Sequence, residues 1–329
     1  MNRLADRFSR KIDYLRISIT DHCNLNCSYC SPFGGRVKLT HAEILSYEEI
    51  CRLTQAAVQG GISKVRITGG EPLVRKGVVE FCRMLSGIEG LKSLTLTTNG
   101  VRLRELAPQL QGAGVQRVNI SLDTLRPESF RKITGYDLLS QVLAGIEMAE
   151  EVGLHPVKIN TVVMRGVNED EIEDFARLTL EKPYDVRFIE LMPFNGSSEH
   201  QSLFVPVEEM VKRVKRVGDL SLEPAAESSG PTRLCSLPGA KGKVGFIAPL
   251  SYHFCGSCNR LRLTADGKLR PCLFSEEEID IKGPLRAGAP TEELIHIYRL
   301  AAMRKPHGHQ LNCTHVEQYF GRDMQAIGG

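Results

Sequence analysis

Three cysteines near the amino terminus are spaced so that their side chains could hold one metal centre. This first triad comprises Cys23, Cys27 and Cys30, in the pattern C-x3-C-x2-C. Structural zinc takes four ligands, and no further cysteine follows the triad until Cys51. A four-iron cluster bound by three thiolates would keep one iron open, and an open iron is a site for catalysis. Zinc stays an alternative, because His22 could supply a fourth ligand.

A second triad of cysteines lies towards the carboxyl end. It comprises Cys255, Cys258 and Cys272, in the pattern C-x2-C-x13-C. Zinc ribbons also begin with C-x2-C, and His253 or Cys313 could complete a set of four ligands. The spacing therefore predicts a second metal centre and leaves open whether it holds zinc or iron and sulfur.

The composition is that of an ordinary globular protein in a reducing compartment. The 329 residues are 42% hydrophobic and 25% charged, and a net charge of +3 predicts no binding to nucleic acid or membranes. No run of eighteen apolar residues occurs, and residues 1–11 carry basic side chains without the apolar stretch of a signal peptide. We therefore expect a cytoplasmic protein whose ten cysteines are ligands or buried thiols. The cysteines outside the triads are predicted to be small buried side chains: Cys51, Cys82, Cys235 and Cys313.

Alternating strands and helices must position both triads. Between residues 14 and 191, strand patterns recur about every thirty residues with helical patterns between them, as in repeated βαβ units. Six such units are two short of the eight that close a standard (β/α) barrel. The predicted fold is therefore α/β, an incomplete (β/α)6 three-quarter barrel with a carboxyl-terminal α+β extension that covers its open side. The predicted strands are 14–19, 64–68, 94–98, 117–122, 156–163 and 185–191.

Changes of pattern divide the chain into an amino-terminal arm (1–11), the partial barrel (12–195) and the extension (196–329). Within the barrel, Ser46 with Glu49 and Asn168 with Glu171 predict two capped helix starts. His307 and His309 are interpreted as polar loop residues of the extension. Further helices are predicted at 77–85, 102–111, 138–152, 206–216 and 291–303.

Every second position of the predicted strands is polar, whereas buried parallel strands usually consist of apolar runs. This alternation predicts a polar lumen rich in cations, which would suit an anion such as phosphate. Arg260 and Arg262 follow the second triad and add two cations on one strand face. The other predicted lumen residues are Arg16, Ser18, Lys64, Arg66, Thr68, Thr95, Thr97, Arg117, Asn119, Ser121, Lys158, Asn160, Asp185 and Arg187.

The first triad, with Tyr29 before its last cysteine, resembles the signature of the radical S-adenosylmethionine superfamily. Residues 69–72, Gly-Gly-Glu-Pro after the second predicted strand, are similar to the superfamily motif that contacts the amino group of S-adenosylmethionine. The resemblance implies a [4Fe–4S] cluster whose open iron is chelated by this cofactor. The residues that it implies for binding S-adenosylmethionine are Tyr29, Gly70, Glu71, Ser121 and Met192.

The second triad with the following Arg-Leu-Arg resembles the branch of this superfamily that acts in molybdenum cofactor biosynthesis, the GTP 3′,8-cyclases. The resemblance extends over essentially the whole chain, up to the final Gly328 and Gly329. It implies a second [4Fe–4S] cluster at the second triad, catalytic roles for Arg16, Arg260 and Arg262, and a glycine tail that reaches into the lumen. The residues that it implies for GTP binding are Arg16, Lys64, Arg66, Thr97, Lys158, Arg187, Arg260, Leu261 and Arg262.

The same resemblance implies a reaction. Reductive cleavage of S-adenosylmethionine gives a 5′-deoxyadenosyl radical, which abstracts the 3′ hydrogen of GTP. Ring closure on carbon 8 of guanine then gives (8S)-3′,8-cyclo-7,8-dihydroguanosine 5′-triphosphate. The implied partners are an electron donor such as flavodoxin or ferredoxin and the downstream cyclic pyranopterin monophosphate synthase (MoaC). The chain is expected to be a monomer or a homodimer.

Two other functions explain parts of the pattern. A peptide-modifying radical enzyme with an auxiliary cluster would use both triads, but such enzymes have longer cysteine-rich tails and need no basic lumen of triphosphate size. A non-catalytic iron–sulfur electron carrier would use four thiolates per cluster and no Gly-Gly-Glu-Pro loop. The ligand count therefore favours the cyclase over both.

Overall fold

Strands and helices alternate through the first two thirds of the chain, as the sequence predicts. The computed structural model describes residues 3–30, 38–193, 200–224, 231–309, 311, 322 and 324–328. The alternating strands are β1 (Tyr14–Ser18), β2 (Lys64–Thr68), β3 (Ser93–Thr98), β4 (Arg117–Ser121), β5 (Lys158–Val163) and β6 (Asp185–Glu190). The helices among them are α1 (Tyr47–Gln59), α2 (Val78–Ser86), α3 (Leu103–Gly112), α4 (Pro127–Thr134), α5 (Leu139–Glu151) and α6 (Ile172–Glu181).

The extension adds shorter elements. Its strands are β7 (Ser221–Leu222), β8 (Arg233–Ser236), β9 (Lys243–Ile247), β10 (Arg260–Leu263), β11 (Lys268–Arg270) and β12 (Ile279–Asp280). Its helices are α7 (His200–Leu203), α8 (Val207–Val214), α9 (Lys282–Arg286), α10 (Thr291–Met303) and α11 (Met324–Ile327). Short 3-10 helices occupy Pro72–Val74, Glu169–Glu171 and Cys255–Ser257.

All twelve strands form one sheet, in the order β12-β11-β10-β1-β2-β3-β4-β5-β6-β9-β8-β7. Strands β1 to β6 are parallel neighbours, which confirms the incomplete barrel. The extension does more than cover this barrel. It adds β10 in parallel beside β1 and β9 in parallel beside β6, so that it lengthens the sheet at both edges. Within the described ranges, none of the helices has the length and apolar character to span a bilayer.

Most local predictions are confirmed, and one is wrong. The capping box of Ser46 and Glu49 starts α1. Asn168 precedes the 3-10 helix Glu169–Glu171, but its side chain does not cap that helix. Its Oδ1 instead accepts from the amide of Met164 (2.7 Å), and its Nδ2 donates to Asp123 O (2.7 Å). The pattern missed α4, which begins with Pro127 at its first turn. Buried thiols are confirmed at Cys51, Cys82 and Cys235, whereas Cys313 lies outside the described residues.

Candidate active site

A cavity of about 330 Å³ lies between the inner face of the partial barrel and the extension. Both cysteine triads line it, the first beyond the end of β1 and the second just before and after β10 and β11. The predicted site residues along its wall are Arg16, Cys23, Cys27, Tyr29, Cys30, Arg66, Gly70, Thr97, Ser121, Lys158, Arg187, Met192, Cys255, Cys258, Arg260, Arg262 and Cys272.

Strand register brings three of the cavity's arginines into one row. Arg16 on β1 is paired with Arg262 on β10 at one side and with Arg66 on β2 at the other. Lys158 is the residue opposite Asn119, and Arg187 is the residue opposite Asn160. Because side chains at matched positions of parallel strands share one face, these cations converge on the cavity.

Burial lowers the pKa of several of these cations, and neighbouring cations lower it further. Burial and the nearby Arg187 lower the pKa of Lys158 to about 7. Burial and Arg260 lower the pKa of Arg262 to about 9, and burial lowers the pKa of Arg16 with further contributions from Arg262 and Arg66. An anion in the cavity would relieve this repulsion and favour the charged forms.

Several polar atoms on the cavity wall are buried and have no hydrogen-bond partner within the described structure, among them Thr97 Oγ1, Asn119 Oδ1, Asn160 Oδ1 and Arg187 Nε. Buried polar groups are nearly always hydrogen-bonded, since an unpaired one costs about 1–3 kcal/mol. Donors and acceptors both occur in this set, so the wall fits a ligand that offers both, such as a nucleotide.

The first triad lies on a loop that is held by backbone hydrogen bonds to the end of helix α4. The amide of Asn26 donates to Thr134 O (3.0 Å), and that of Ser28 donates to Ile133 O (3.0 Å). Gly70 is needed for a contact within the chain, because a Cβ there would lie 2.4 Å from His22 O. The two glycines at 69 and 70 therefore admit the backbone of the segment that leads into the cysteine loop.

The side chains of the predicted cofactor residues Tyr29 and Glu71 are hydrogen-bonded within the chain. Tyr29 donates its hydroxyl to Asp123 Oδ2 (2.7 Å), while Asp123 Oδ1 accepts from the amide of Val162 (2.8 Å). Burial raises the pKa of Asp123 to about 6, although the Tyr29 hydroxyl opposes this shift. Glu71 is 1% exposed, and its carboxylate accepts from the amide of Asn99 (2.6 Å). Glu71 therefore fixes the strand ends and does not line the cavity.

The second triad lies among cations. Burial acts to raise the pKa of the Cys258 thiol, but Arg260 and Lys305 lower it to about 6. Lys305 is 2% exposed and donates its ammonium to Arg260 O (2.8 Å) and Pro271 O (2.7 Å). The Arg10 side chain of the amino-terminal arm also donates to Cys255 O (2.5 Å). A thiolate is the form that binds a metal, so this environment prepares Cys258 as a ligand.

The spacing of the sulfur atoms bears on the zinc alternative. Among the described residues, a set of three donor atoms within 4.8 Å of one another occurs at His253, Cys255 and His309 and in neither triad. Tetrahedral zinc with bonds of about 2.3 Å to sulfur would bring its ligands to about 3.8 Å from one another. In each triad at least one pair of sulfur atoms therefore lies more than 4.8 Å apart, farther than the ligands of one tetrahedral zinc ion.

The carboxyl-terminal tail reaches the same cavity. Gly328 O accepts a hydrogen bond of 2.7 Å from Arg262 Nη1. A Cβ at Gly328 would lie 2.6 Å from Thr68 Cγ2 and 3.1 Å from Ser18 Cβ, at the ends of β2 and β1. Glycine is therefore required by the narrow space as well as by its φ of 75°. Gly329 lies outside the described residues.

Some predicted site residues lie elsewhere. Lys64 is the first residue of β2, and its ammonium is 3.5 Å from the Asp13 carboxylate. The Leu261 side chain is fully buried in the core. With Glu71, these two do not line the cavity. The predicted site residues also omitted several polar side chains of the cavity wall, among them Tyr14, Asn119, Asp123, Asn160 and Lys305. The strand alternation already indicated Asn119 and Asn160, whereas no sequence signal marked Lys305.

Comparison with known proteins agrees with this geometry. Residues 17–179 match the Radical SAM superfamily, and residues 184–311 match Molybdenum Cofactor Synthesis C. Among solved structures, Streptococcus suis SuiB bound to S-adenosylmethionine aligns with a TM-score of 0.60 over 88% of this chain and 68% of that chain. At 16% identity this likeness supports the fold alone. The fold and the first triad thus define a radical S-adenosylmethionine enzyme.

Relatives of higher sequence identity indicate a particular family within this superfamily. The chain is 50% identical to the GTP 3′,8-cyclase of Heliobacterium modesticaldum, over 99% of this chain and 100% of that protein. It is 51% identical to the GTP 3′,8-cyclase of Moorella thermoacetica over the same shares. The chain belongs to the GTP 3′,8-cyclase family.

Proposed function

We propose that the protein is a radical S-adenosylmethionine enzyme that converts GTP to (8S)-3′,8-cyclo-7,8-dihydroguanosine 5′-triphosphate for molybdenum cofactor biosynthesis. The observation that carries the proposal is a single cavity lined by two cysteine triads and by a group of strand-borne cations between them. The full-length likeness to GTP 3′,8-cyclases supports the same reaction.

The first triad is the proposed site of a [4Fe–4S] cluster. A cluster bound there would supply the electron for reductive cleavage of S-adenosylmethionine. Cys23, Cys27 and Cys30 are the ligands. Ser121 and Met192, which line the wall with Gly70, are proposed to hold S-adenosylmethionine against this triad.

The cations are proposed to bind and orient GTP. Arg16, Arg66, Lys158 and Arg187 line the cavity, and guanidinium and ammonium groups are the usual partners of phosphate oxygens. Thr97 adds a hydroxyl on the same face. Holding the nucleotide by its charged end limits its movement, and a fixed position of the ribose is what a hydrogen transfer requires.

The second triad is the proposed site of a second [4Fe–4S] cluster, held by Cys255, Cys258 and Cys272. Its place on the opposite side of the same cavity suits contact with the guanine base, so this cluster would bind substrate and not S-adenosylmethionine. Arg260 lies beside Cys258 and supplies positive charge there, with its guanidinium carbon 5.3 Å from the centre of the Phe254 ring. The cavity lies between the barrel and the extension, and shielding the substrate there from water would protect a radical from quenching.

One experiment tests the division of labour between the triads. Cys27→Ala should abolish formation of 5′-deoxyadenosine, because it removes a ligand from the proposed site of cleavage. Cys258→Ala should retain part of this cleavage and lose the cyclised nucleotide. Both products are measured by anaerobic incubation with dithionite, GTP and S-adenosylmethionine, followed by chromatography and mass spectrometry.

Iron content provides the control for this comparison. The reconstituted wild-type chain should hold about eight irons, and each variant should hold fewer, with the remaining cluster detectable by electron paramagnetic resonance. Equal loss of both products in both variants, each with one intact cluster, would contradict the proposed roles.

A further inference from the structure

Three side chains of types that can bind a metal lie at the edge of the second triad and overlap with it at one cysteine. His253, Cys255 and His309 place one donor atom each within 4.8 Å of the other two. The set shares Cys255 with the triad but excludes Cys258 and Cys272. His253 is exposed at the surface, while Cys255 and His309 are half-buried, so an ion could enter from solvent.

Both imidazoles have a nitrogen atom available for a metal. His253 Nε2 is 3.0 Å from Leu311 O, and a carbonyl can only accept, so the proton is on Nε2 and the lone pair is on Nδ1. His309 Nδ1 is buried and has no hydrogen-bond partner within the described part of the chain. A buried nitrogen without a partner is rare, and a bound ion would explain it.

The surroundings hold the three side chains in place. The His309 ring packs against the His253 ring at 4.2 Å between centroids and against the edge of Phe274 at 4.5 Å. Gly308 brings its segment close to Cys255, where an added Cβ would be 3.7 Å from Sγ. Little ordering is therefore needed to bind an ion, and a prearranged site binds more tightly.

We propose that His253, Cys255 and His309 bind one zinc ion when the second triad carries no cluster. Two imidazoles and one thiolate are ligands that zinc prefers, and water would complete four-coordination. Binding releases the thiol proton of Cys255 to solvent and changes no oxidation state. Since Cys255 also belongs to the second triad, zinc at this set and a cluster at the triad exclude each other.

The test begins with the full-length chain, freed of clusters and metals and kept reduced without oxygen. Zinc is titrated against a chromophoric chelator, and cobalt is used as a spectroscopic probe of thiolate coordination. The wild type should bind one equivalent, with a cobalt spectrum of tetrahedral geometry. His309→Ala and His253→Ala should each weaken zinc binding by about tenfold or more, as loss of a ligand predicts.

Variants of the triad provide the matched control. Cys258→Ala and Cys272→Ala should bind zinc nearly as tightly as the wild type, because neither residue belongs to the set. Circular dichroism of each variant checks that it is folded. Zinc affinity that falls in the Cys258 and Cys272 variants but not in the histidine variants would place the ion at the triad and overturn the proposal. Equal affinity in all variants would also overturn it.

Competition with the cluster gives a second readout, which rests on the proposed second cluster. Wild type loaded with zinc should take up about four irons on reconstitution, and His309→Ala treated in the same way should take up about eight. Uptake of eight irons by the zinc-loaded wild type would contradict mutual exclusion. The zinc titration uses neither GTP nor S-adenosylmethionine, so its outcome is independent of the proposed reaction.

Discussion

Individual cations explain why the cavity would prefer a polyphosphate. The Lys158 ammonium is only 3.9 Å from the Asp185 carboxylate, which favours its charged form. The pKa of Lys158 nevertheless falls to about 7. Burial and the positive charge of Arg187 therefore outweigh the one nearby carboxylate. A ligand with several negative oxygens would favour the charged form of Lys158. Lys158 would therefore take up a proton when such a ligand binds.

This proton uptake predicts a pH dependence of GTP binding. Below pH 7 Lys158 is protonated in free and bound protein alike, so its contribution to affinity is complete. Above pH 7 Lys158 of the free protein is increasingly neutral and must gain a proton when GTP binds. The affinity for GTP should therefore fall by up to roughly tenfold per pH unit. Calorimetry of GTP binding between pH 6.5 and 9, in buffers of different ionisation enthalpy, measures both effects.

The variant Lys158→Gln should bind GTP more weakly and lose this part of the pH dependence. Lys64→Gln is the matched control, since Lys64 is another strand lysine but lies outside the cavity wall, and it should retain the wild-type slope. The same slope in Lys158→Gln as in the wild type would show that another group titrates.

The strands and helices that could be predicted from the sequence are those that follow a local residue pattern. Strands β1 to β6 follow from alternation, and the row of Arg16 and Arg66 follows from that alternation together with a parallel register. The positions of β9 and β10 could not be predicted, because they pair with β6 and β1 across long stretches of chain. Such pairings depend on tertiary packing and leave no local signal.

The amino-terminal arm, interpreted from sequence as a polar segment, is tied to the second triad. The Arg10 guanidinium donates to Cys255 O, to Pro306 O (2.6 Å) and to His307 O (3.1 Å), and its Nε pairs with Asp6. One side chain thus joins the arm, the second cysteine loop and the segment after α10. This role depends on carbonyl groups remote in sequence, which no motif predicts.

Arg10→Ala should therefore loosen the second cysteine loop and leave the first untouched. We expect iron content to fall from about eight towards four per chain, with cleavage of S-adenosylmethionine largely retained and the cyclised nucleotide reduced. Arg10→Lys should recover little, since an ammonium cannot reproduce the planar fork of the guanidinium. Arg7→Ala, which removes only a contact of 4.9 Å with the Phe8 ring, is the control. Unchanged iron in Arg10→Ala would refute this role.

Segments near both ends of the described chain contact residues that line the cavity. The arm braces the second triad, and the tail brings Gly328 to the ends of β1 and β2. Arg322 holds the tail to the extension by hydrogen bonds to both carboxylate oxygens of Asp266 (2.9 and 2.8 Å) and to Glu278 (2.7 Å). The sequence predicted the inserted glycine tail, but the ion pairs that secure it were found only in the structure.

Deletion of Gly328 and Gly329 should therefore leave the fold, the iron content and cleavage of S-adenosylmethionine largely intact while suppressing the cyclised product. Gly328→Ala should do the same, because its Cβ would collide with Thr68. Gly112→Ala is the control, since a Cβ there meets nothing within 4 Å. Product formation by the truncated chain at the wild-type rate would show that the tail has no part in turnover.

In the proposed reaction, the cavity presents carbon 3′ of GTP to the 5′-deoxyadenosyl radical. The most direct test is anaerobic turnover of GTP that carries deuterium at carbon 3′, with mass spectrometry of both products. We expect one deuterium in 5′-deoxyadenosine and none at that carbon in the cyclised nucleotide. Unlabelled 5′-deoxyadenosine, with the deuterium kept in the recovered nucleotide, would contradict the account.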